Sequence, residues 1–420
     1  MRIVHVSAQQ DGGAGRAAMR LHEGLRQIGQ DSKFFAGVVS EPGEGVVAFD
    51  SRANVLKRGM RSVRRRRIEA DFAEYRKNRT EGQEVFGDDR SELGAEVRHQ
   101  LPPCDVVNLH WVAGFIDYSD FMSVVPQRNP IVWTLHDMNP FTGGCHYDRN
   151  CGKFTGACGA CPELGSREEA DLSRRIWKRK SEALKKMPAG RFRIVADSSW
   201  LASQAKRSSV FREFSVEAIH YGLDVETFAP RDRAAARSVL GLPPSAKIIL
   251  FVADHPNIRR KGFATLVDAL TVLSKDREPF LLSMGRDKPE FSKPFPHLHI
   301  GYVVEERYQS VIYSAADIFV IPSLQEALGQ TALEAMACGT PVVGSDAGGI
   351  PEIVRDGATG LLFPAGDPRS LAAAIEKLLG DEKRLAVMGE ECRRVALEGY
   401  TLEIQAKRYA KLYEEMLRGD

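Results

Sequence analysis

Pro322-Ser323-Leu324-Gln325-Glu326-Ala327-Leu328-Gly329-Gln330-Thr331-Ala332-Leu333-Glu334-Ala335-Met336-Ala337-Cys338-Gly339-Thr340-Pro341-Val342-Val343 is the stretch that decides how this chain is read. An apolar run at 318–321 reads as a strand that ends at Pro322. A loop carrying Glu326 follows, and then a helix over 330–338 with Gly339 at its C′ position, where glycine relieves left-handed strain. A second strand opens at 341–344. Glycine where a helix begins lets a ligand approach the first backbone N–H groups. Those groups and the helix dipole favour an anion, most simply a pyrophosphate. Glu334 lies one turn into the helix, within reach of a hydroxyl-bearing group beside that phosphate. Glu326 sits in the loop on the approach side. A carboxylate accepts two O–H bonds and so suits a diol.

The same rhythm extends in both directions. Strand-like runs at 247–253, 280–284, 318–321 and 341–344 alternate with helical spacing at 262–273, 307–316 and 330–338. The first half opens with a strand over 2–7, the glycine loop Asp11-Gly12-Gly13-Ala14-Gly15, and a helix marked by Ala17, Ala18, Leu21, Leu25 and Ile28. Further strands are expected at 33–38, 105–110, 131–135 and 193–197. Alternation of this kind argues for α/β architecture with parallel sheets covered on both faces. It gives two doubly wound, Rossmann-like domains facing across a cleft, with ligands expected outside the carboxyl ends of the strands. The expected division is 1–220, 221–400, and a last helix over 401–420 that packs back on the first domain.

Composition narrows the class. In 420 residues, 43% are apolar and 27% charged, so a folded core is affordable and disorder is excluded as the main state. A formal net charge of +2 supplies no global field for nucleic acid. No run of 18 apolar residues exists, so no spanning helix is expected. Met1-Arg2-Ile3-Val4-His5-Val6-Ser7 reads as a first strand rather than a signal peptide, which points to the cytoplasm. The seven cysteines are then not expected to form stable disulfides.

The strand, Glu326 loop, Gly329 and Glu334 helix together resemble the nucleotide-binding signature of retaining glycosyltransferases of the GT-B fold, family 4. That resemblance runs over nearly the whole chain. It implies a metal-independent reaction in the cleft between two domains. By it, Glu326 contacts sugar hydroxyls near the reacting carbon and Glu334 binds the donor ribose. The backbone of Leu328, Gly329 and Gln330 holds the diphosphate. Ile258-Arg259-Arg260-Lys261-Gly262-Phe263 follows a strand, and a cation there can neutralise charge developing on the leaving phosphate. Lys261 matches the family's lysine. The usual arginine position reads Asp254 or His255, so that role passes to Arg260, or else to Arg259. In the first domain Trp133-Thr134-Leu135-His136-Asp137 closes a strand. The resemblance gives His136 sugar positioning and Asp137 a supporting role. Gly12, Gly13, Gly15 and Arg16 resemble the first glycine loop, with Gly13 on the donor side and Gly12, Gly15 and Arg16 on the acceptor side. Tyr302 and Val303 follow a strand where the family contacts the nucleobase. Gly348-Gly349-Ile350-Pro351-Glu352 shapes a loop.

Two further segments carry expectations. Cys145, Cys151, Cys158 and Cys161 have the spacing C-x5-C-x6-C-x2-C among closely placed glycines. Four thiolates with a C-x-x-C knuckle suit a structural tetrahedral zinc. An exopolysaccharide-type sub-branch of the family looks similar here, with the same Cys-Pro ending. Residues 57–79 hold ten basic against three acidic side chains. Val55, Leu56, Met60, Val63, Ile68 and Phe72 interleave with them, as in an amphipathic helix on an anionic membrane. The combined expectation is a retaining glycosyltransferase taking a UDP- or GDP-sugar. Its acceptor would be a glycan, lipid-linked, at the cytoplasmic membrane face, in surface polysaccharide synthesis. No cofactor is expected for catalysis and no nucleic-acid partner. The competing readings are a nucleotide-sugar epimerase or phosphorylase on the same fold, and a non-catalytic, zinc-bearing, membrane-docked assembly protein.

Overall fold

A computed structural model gives the structure of the chain; it describes all residues except 80–81, 186, 189, 274–278, 292–294 and 420. The chain divides into two units. The first comprises Met1–Gly222 and Leu402–Asp420, and the second Leu223–Thr401.

The first unit is built on β1 (Arg2–Gln9), β2 (Asp31–Val38), β3 (Val46–Ala48), β4 (Val106–Leu109), β5 (Ile131–Leu135), β6 (Phe192–Ala196) and β7 (Ser215–Ala218). They pair in the order β3-β2-β1-β4-β5-β6-β7, and every pairing is parallel. β4 and β5 are buried along their whole length, which is why they read as continuous apolar runs rather than alternating ones. The order reverses between β1 and β4, and at such a switch the loops after the two strands diverge and leave a crevice.

The second unit repeats the plan with β8 (Ile248–Val252), β9 (Phe280–Met284), β10 (His297–His299), β11 (Ile318–Ile321), β12 (Val342–Ser345) and β13 (Gly360–Phe363). Its order is β10-β9-β8-β11-β12-β13, again all parallel, with the switch between β8 and β11. Its core joins Ile249, Phe251, Leu266, Ile318, Val320, Val343, Leu371, Ile375 and Leu378, drawn from the sheet and from the helices Phe263–Val272 and Pro368–Leu379.

The terminal helix Leu402–Arg418 belongs to the first unit. It buries Ala406, Tyr409, Leu412, Tyr413 and Met416 against Ile3, Leu21, Leu25, Val106 and Val132. Two of its tyrosines also reach sheet side chains. The Asn108 amide donates to the Tyr413 hydroxyl at 2.7 Å, and the Tyr409 hydroxyl meets Thr134 Oγ1 at 3.0 Å. Several elements fall outside the sequence expectation, among them β3, β7 and β13 and the helices Tyr118–Arg128, Leu172–Leu184, Ser199–Arg207, Pro368–Leu379 and Glu382–Gly399.

Candidate functional site

In the second unit the functional side chains gather at the carboxyl ends of β8 and β11. After β8 the chain turns through Arg259–Lys261, and Gly262 follows with φ +68. A Cβ on Gly262 would sit 1.8 Å from the Pro322 carbonyl oxygen, so only glycine lets this turn press against the end of β11. The Leu324 amide donates to the Arg260 carbonyl at 2.7 Å and ties the two loops together. Their side chains meet as a result. Arg260 Nη1 donates to Glu326 Oε2 at 3.0 Å, and Lys261 Nζ donates to the same oxygen at 2.8 Å. Burial alone would raise the Glu326 carboxyl. The two cations more than offset it and hold it at about 2. Behind it, a Cβ on Gly348 would fall 1.9 Å from the Glu326 carbonyl oxygen, and the Gly349 amide donates to that oxygen at 3.0 Å. The glutamate is thereby fixed from the main-chain side as well.

The helix Gln330–Ala337 starts at Gly329, whose φ is +100, and has no side-chain cap. Leu328 is buried beneath this start. Glu334, 5% exposed, accepts from the Tyr313 hydroxyl at 2.7 Å. The expected pair of glutamates is therefore divided between two settings, one among cations and one beside a phenol. Tyr302 stacks under Arg286, whose guanidinium carbon lies 3.7 Å from the ring centroid. The Val303 carbonyl accepts from Gln309 Nε2 at 2.7 Å. Asp254 and His255 pair with Arg286 and Asp287 respectively.

In the first unit the helix Gly12–Gln27 begins at Gly12 and also lacks a side-chain cap. Gly13 and Arg16 stand on its first turn, and Gly15 is buried where a Cβ would strike the Gln10 carbonyl at 2.2 Å. His136 and Asp137 follow β5, and both are committed to protein partners. Asp137 Oδ2 takes a hydrogen bond from His146 Nδ1 at 2.7 Å, and its Oδ1 accepts the Asn139 amide at 2.8 Å. Burial would raise this carboxyl, and the His146 contact and the amide instead lower it. His136 Nδ1 lies 2.7 Å from the Tyr221 hydroxyl, and its Nε2 lies 3.0 Å from His110 Nδ1. Tyr221, His110, Tyr313 and Arg286 are the residues that sequence reasoning missed. A histidine or tyrosine set among apolar neighbours, as in Val107-Asn108-Leu109-His110, was the available signal.

The four cysteines of the expected zinc cluster are brought near one another, with Cys151, Cys158 and Cys161 all acting electrostatically on Cys145. Among the described residues no group of three or more His, Cys, Asp or Glu side chains is arranged to hold a metal ion. Two of the thiols also pack in the apolar core. Cys145 and Cys161 join Tyr75, Phe86, Leu164, Leu172 and Ile176 in one apolar cluster. Cys158 Sγ accepts the Gly143 amide at 3.2 Å. Burial pushes the metal-free Cys158 thiol to about 12 and Cys161 to about 11.

The basic segment forms the helix Val55–Ala73. Arg61 is held to Glu96 by two hydrogen bonds of 2.9 Å, and Asp71 pairs with Arg90 at 2.7 Å. Ile68 and Phe72 lie on this docked side. Val55, Leu56, Met60 and Val63 stand on the other side, 76%, 72%, 47% and 50% exposed. Among the described residues no helix is long and apolar enough to cross a membrane.

Known proteins share this fold and part of this sequence. Residues 246–381 match the family model for glycosyl transferases group 1. The chain is 29% identical to a D-inositol 3-phosphate glycosyltransferase of Streptomyces bingchenggensis, over 78% of this chain and 70% of that protein. A second protein of that description, from Catenulispora acidiphila, is 33% identical, and there the match spans 47% of this chain and half of the relative. Among solved structures, sucrose-phosphate synthase from Thermosynechococcus elongatus superposes with a TM-score of 0.68 at 20% identity over all of both chains. HepE of Anabaena, solved with UDP and glucose, gives 0.66 at 16% identity over 99% of this chain and all of that one. Residues 246–381 are thus similar to the glycosyl transferases group 1, in a chain with the two Rossmann-like units of the GT-B fold.

Proposed function

We propose that the protein transfers a sugar from a nucleotide-diphosphate sugar to a glycan acceptor, with retention at the anomeric carbon. The observation that carries this reading is Glu326 held between Arg260 and Lys261, beside a helix that begins at Gly329 without a side-chain cap. The diphosphate of a UDP- or GDP-sugar binds at the helix start through the backbone of Leu328, Gly329 and Gln330. Arg260 and Lys261 neutralise the charge that grows on it as the glycosidic bond breaks. Glu326 orients sugar hydroxyls, Glu334 takes the ribose, and Tyr302 and Val303 adjoin the base. The first unit serves the acceptor and the transferred sugar through Gly12, Gly13, Gly15, Arg16 and His136. Retention by front-side attack is favoured by the family likeness, and surface polysaccharide is the fitting product class.

The acceptor on this reading is lipid-linked. The apolar stripe Val55, Leu56, Met60 and Val63 is flanked by the exposed Arg58, Arg65, Arg66 and Arg67. Such a face fits an anionic cytoplasmic leaflet.

Nucleotide release from a panel of UDP-, GDP- and ADP-sugars, with and without glycan acceptors, tests the proposal. Acceptor-dependent release from one donor is expected. Donor interconversion with no acceptor would favour an epimerase, consumption of inorganic phosphate a phosphorylase, and no turnover or binding at all a non-catalytic protein.

A further inference from the structure

Three histidines on three neighbouring strands of the first unit form one continuous chain of hydrogen bonds. His5 Nδ1 on β1 lies 2.9 Å from His110 Nε2, just beyond β4. His110 Nδ1 lies 3.0 Å from His136 Nε2, just beyond β5. His136 Nδ1 lies 2.7 Å from the Tyr221 hydroxyl. The rings of His110 and His136 are stacked with centroids 5.2 Å apart, and those of His136 and Tyr221 are stacked at 5.7 Å. Tyr221 itself faces the buried Asp197. Burial first, then the charge of Asp197, push the phenol well above its ordinary range.

The Asp197 end of the chain fixes its direction. A neutral imidazole has one N–H, so each link has one donor and one acceptor. If Tyr221 donates to Asp197, its oxygen accepts from His136 Nδ1–H. His136 Nε2 then accepts from His110 Nδ1–H, and His110 Nε2 accepts from His5 Nδ1–H. His5 Nε2, buried with no hydrogen-bond partner, is left as a bare lone pair. Run in reverse, the chain would take the tyrosine proton from a buried carboxylate and strand a buried N–H at His5. An unpartnered nitrogen at His5 is costly in either tautomer, so the Asp197 end, where a phenol faces a carboxylate, selects the first direction. Because the chain stops at His5, it is not a conduit to solvent.

We propose that His5, His110, Tyr221 and Asp197 are positioning residues that act through this one-way chain to hold His136 as its Nδ1–H tautomer, uncharged and fixed in orientation at the end of β5. On the transferase reading above, on which the purpose of this arrangement rests, an uncharged ring here tolerates the positive charge that develops on the transferred sugar. Burial acts in the same sense. It lowers His136 to about 4, and His5 and His110 well below the ordinary histidine range. The other titratable groups that face the chain are Asp137 beside His136, His22 beside His5, and Tyr147 and Tyr409 beside Tyr221.

Imidazole 15N NMR on the full chain tests this, with resonances assigned by single His→Gln variants. The wild type is expected to show all three rings as the Nδ1–H tautomer and neutral from pH 8 to about 5. Tyr221→Phe is the milder variant, and Asp197→Asn weakens the same anchor from behind. In each, His136 is expected to populate both tautomers, while burial keeps the ring neutral over the same pH range. Turnover in Tyr221→Phe should fall roughly ten- to a hundredfold in kcat with KM little changed. An Nε2–H ring at His136 in the wild type would overturn the proposal, and so would an Nδ1–H ring unmoved in both variants. Tautomers that respond as described, in a protein that turns over no donor, uphold the lock and count against the transferase reading alone.

Discussion

Glu326 is the residue on which most of the proposed donor chemistry turns, and its surroundings say how it should be probed. Its side chain is 13% exposed and lies within 3.0 Å of both Arg260 and Lys261. Removing it takes a shared counter-charge from two partly buried cations, so Glu326→Ala is expected to cost about 3 kcal/mol of stability in the second unit as well as turnover. Glu326→Gln keeps the shape, and is expected to lower kcat about a hundredfold or more while nucleotide binding stays within a few-fold. Steady-state kinetics beside calorimetric titration with UDP or GDP reads both; near-normal kcat would remove the residue from the chemistry. Glu334→Ala should do the opposite and mainly weaken binding. The carboxyl at about 2 also has a stability consequence. Its folded value lies below the ordinary one near 4.3, so the stability it contributes is complete above pH 4.3 and is lost as pH falls toward 2, about 3 kcal/mol in all.

At the scale of elements, the terminal helix Leu402–Arg418 is the clearest case of tertiary dependence. Its buried face supplies part of the first unit's core, and Tyr413 satisfies the buried Asn108 amide. Tyr413→Phe is expected to cost about 1–3 kcal/mol, because it leaves that amide without an acceptor. Urea unfolding followed by tryptophan fluorescence measures it directly, since Trp111, Trp133, Trp177 and Trp200 all lie in the first unit. The helix Val55–Ala73 makes the opposite kind of prediction. Leu56→Glu with Met60→Glu should leave folding intact and remove sedimentation with phosphatidylglycerol vesicles, while neutral vesicles bind neither form. Equal binding of both forms would reject the lipid face.

Legibility differed by element for physical reasons. Central strands such as Ile131–Leu135 and Ile318–Ile321 are covered on both faces and announce themselves as apolar runs. β3 and β7 sit at sheet edges, short and partly exposed, and carry no such signal. The glutamates, the lysine and the glycine turn were legible because a close backbone approach restricts residue type locally. The imidazole chain was not, because His5 and His136 meet His110 only once the sheet order brings β1, β4 and β5 side by side. The cysteine spacing proposes a ligand set, and the fold brings the four thiols near one another, two of them within an apolar cluster.

For the whole molecule, acid is the informative perturbant. His5, His110 and His136 all have lowered values in the folded state. Between about pH 6.5 and 4 the unfolded chain takes up protons that these rings refuse, so stability must fall as pH falls. The slope is about 1.4 kcal/mol per pH unit for each ring. Urea midpoints read by the first unit's tryptophans at pH 7, 6, 5 and 4 are expected to decline steadily. A flat series would mean the rings are not held neutral.

The division of the chain has one more consequence. The first unit is written in two pieces, with the second unit entire between them, and at the crossing the Leu223 amide donates to the Tyr400 carbonyl at 2.8 Å. A ribosome therefore delivers every residue of the inner unit before the last nineteen that the outer one needs. Birth order and assembly order part company: what is translated first must wait, its sheet lacking a cover, until the final helix emerges to close it.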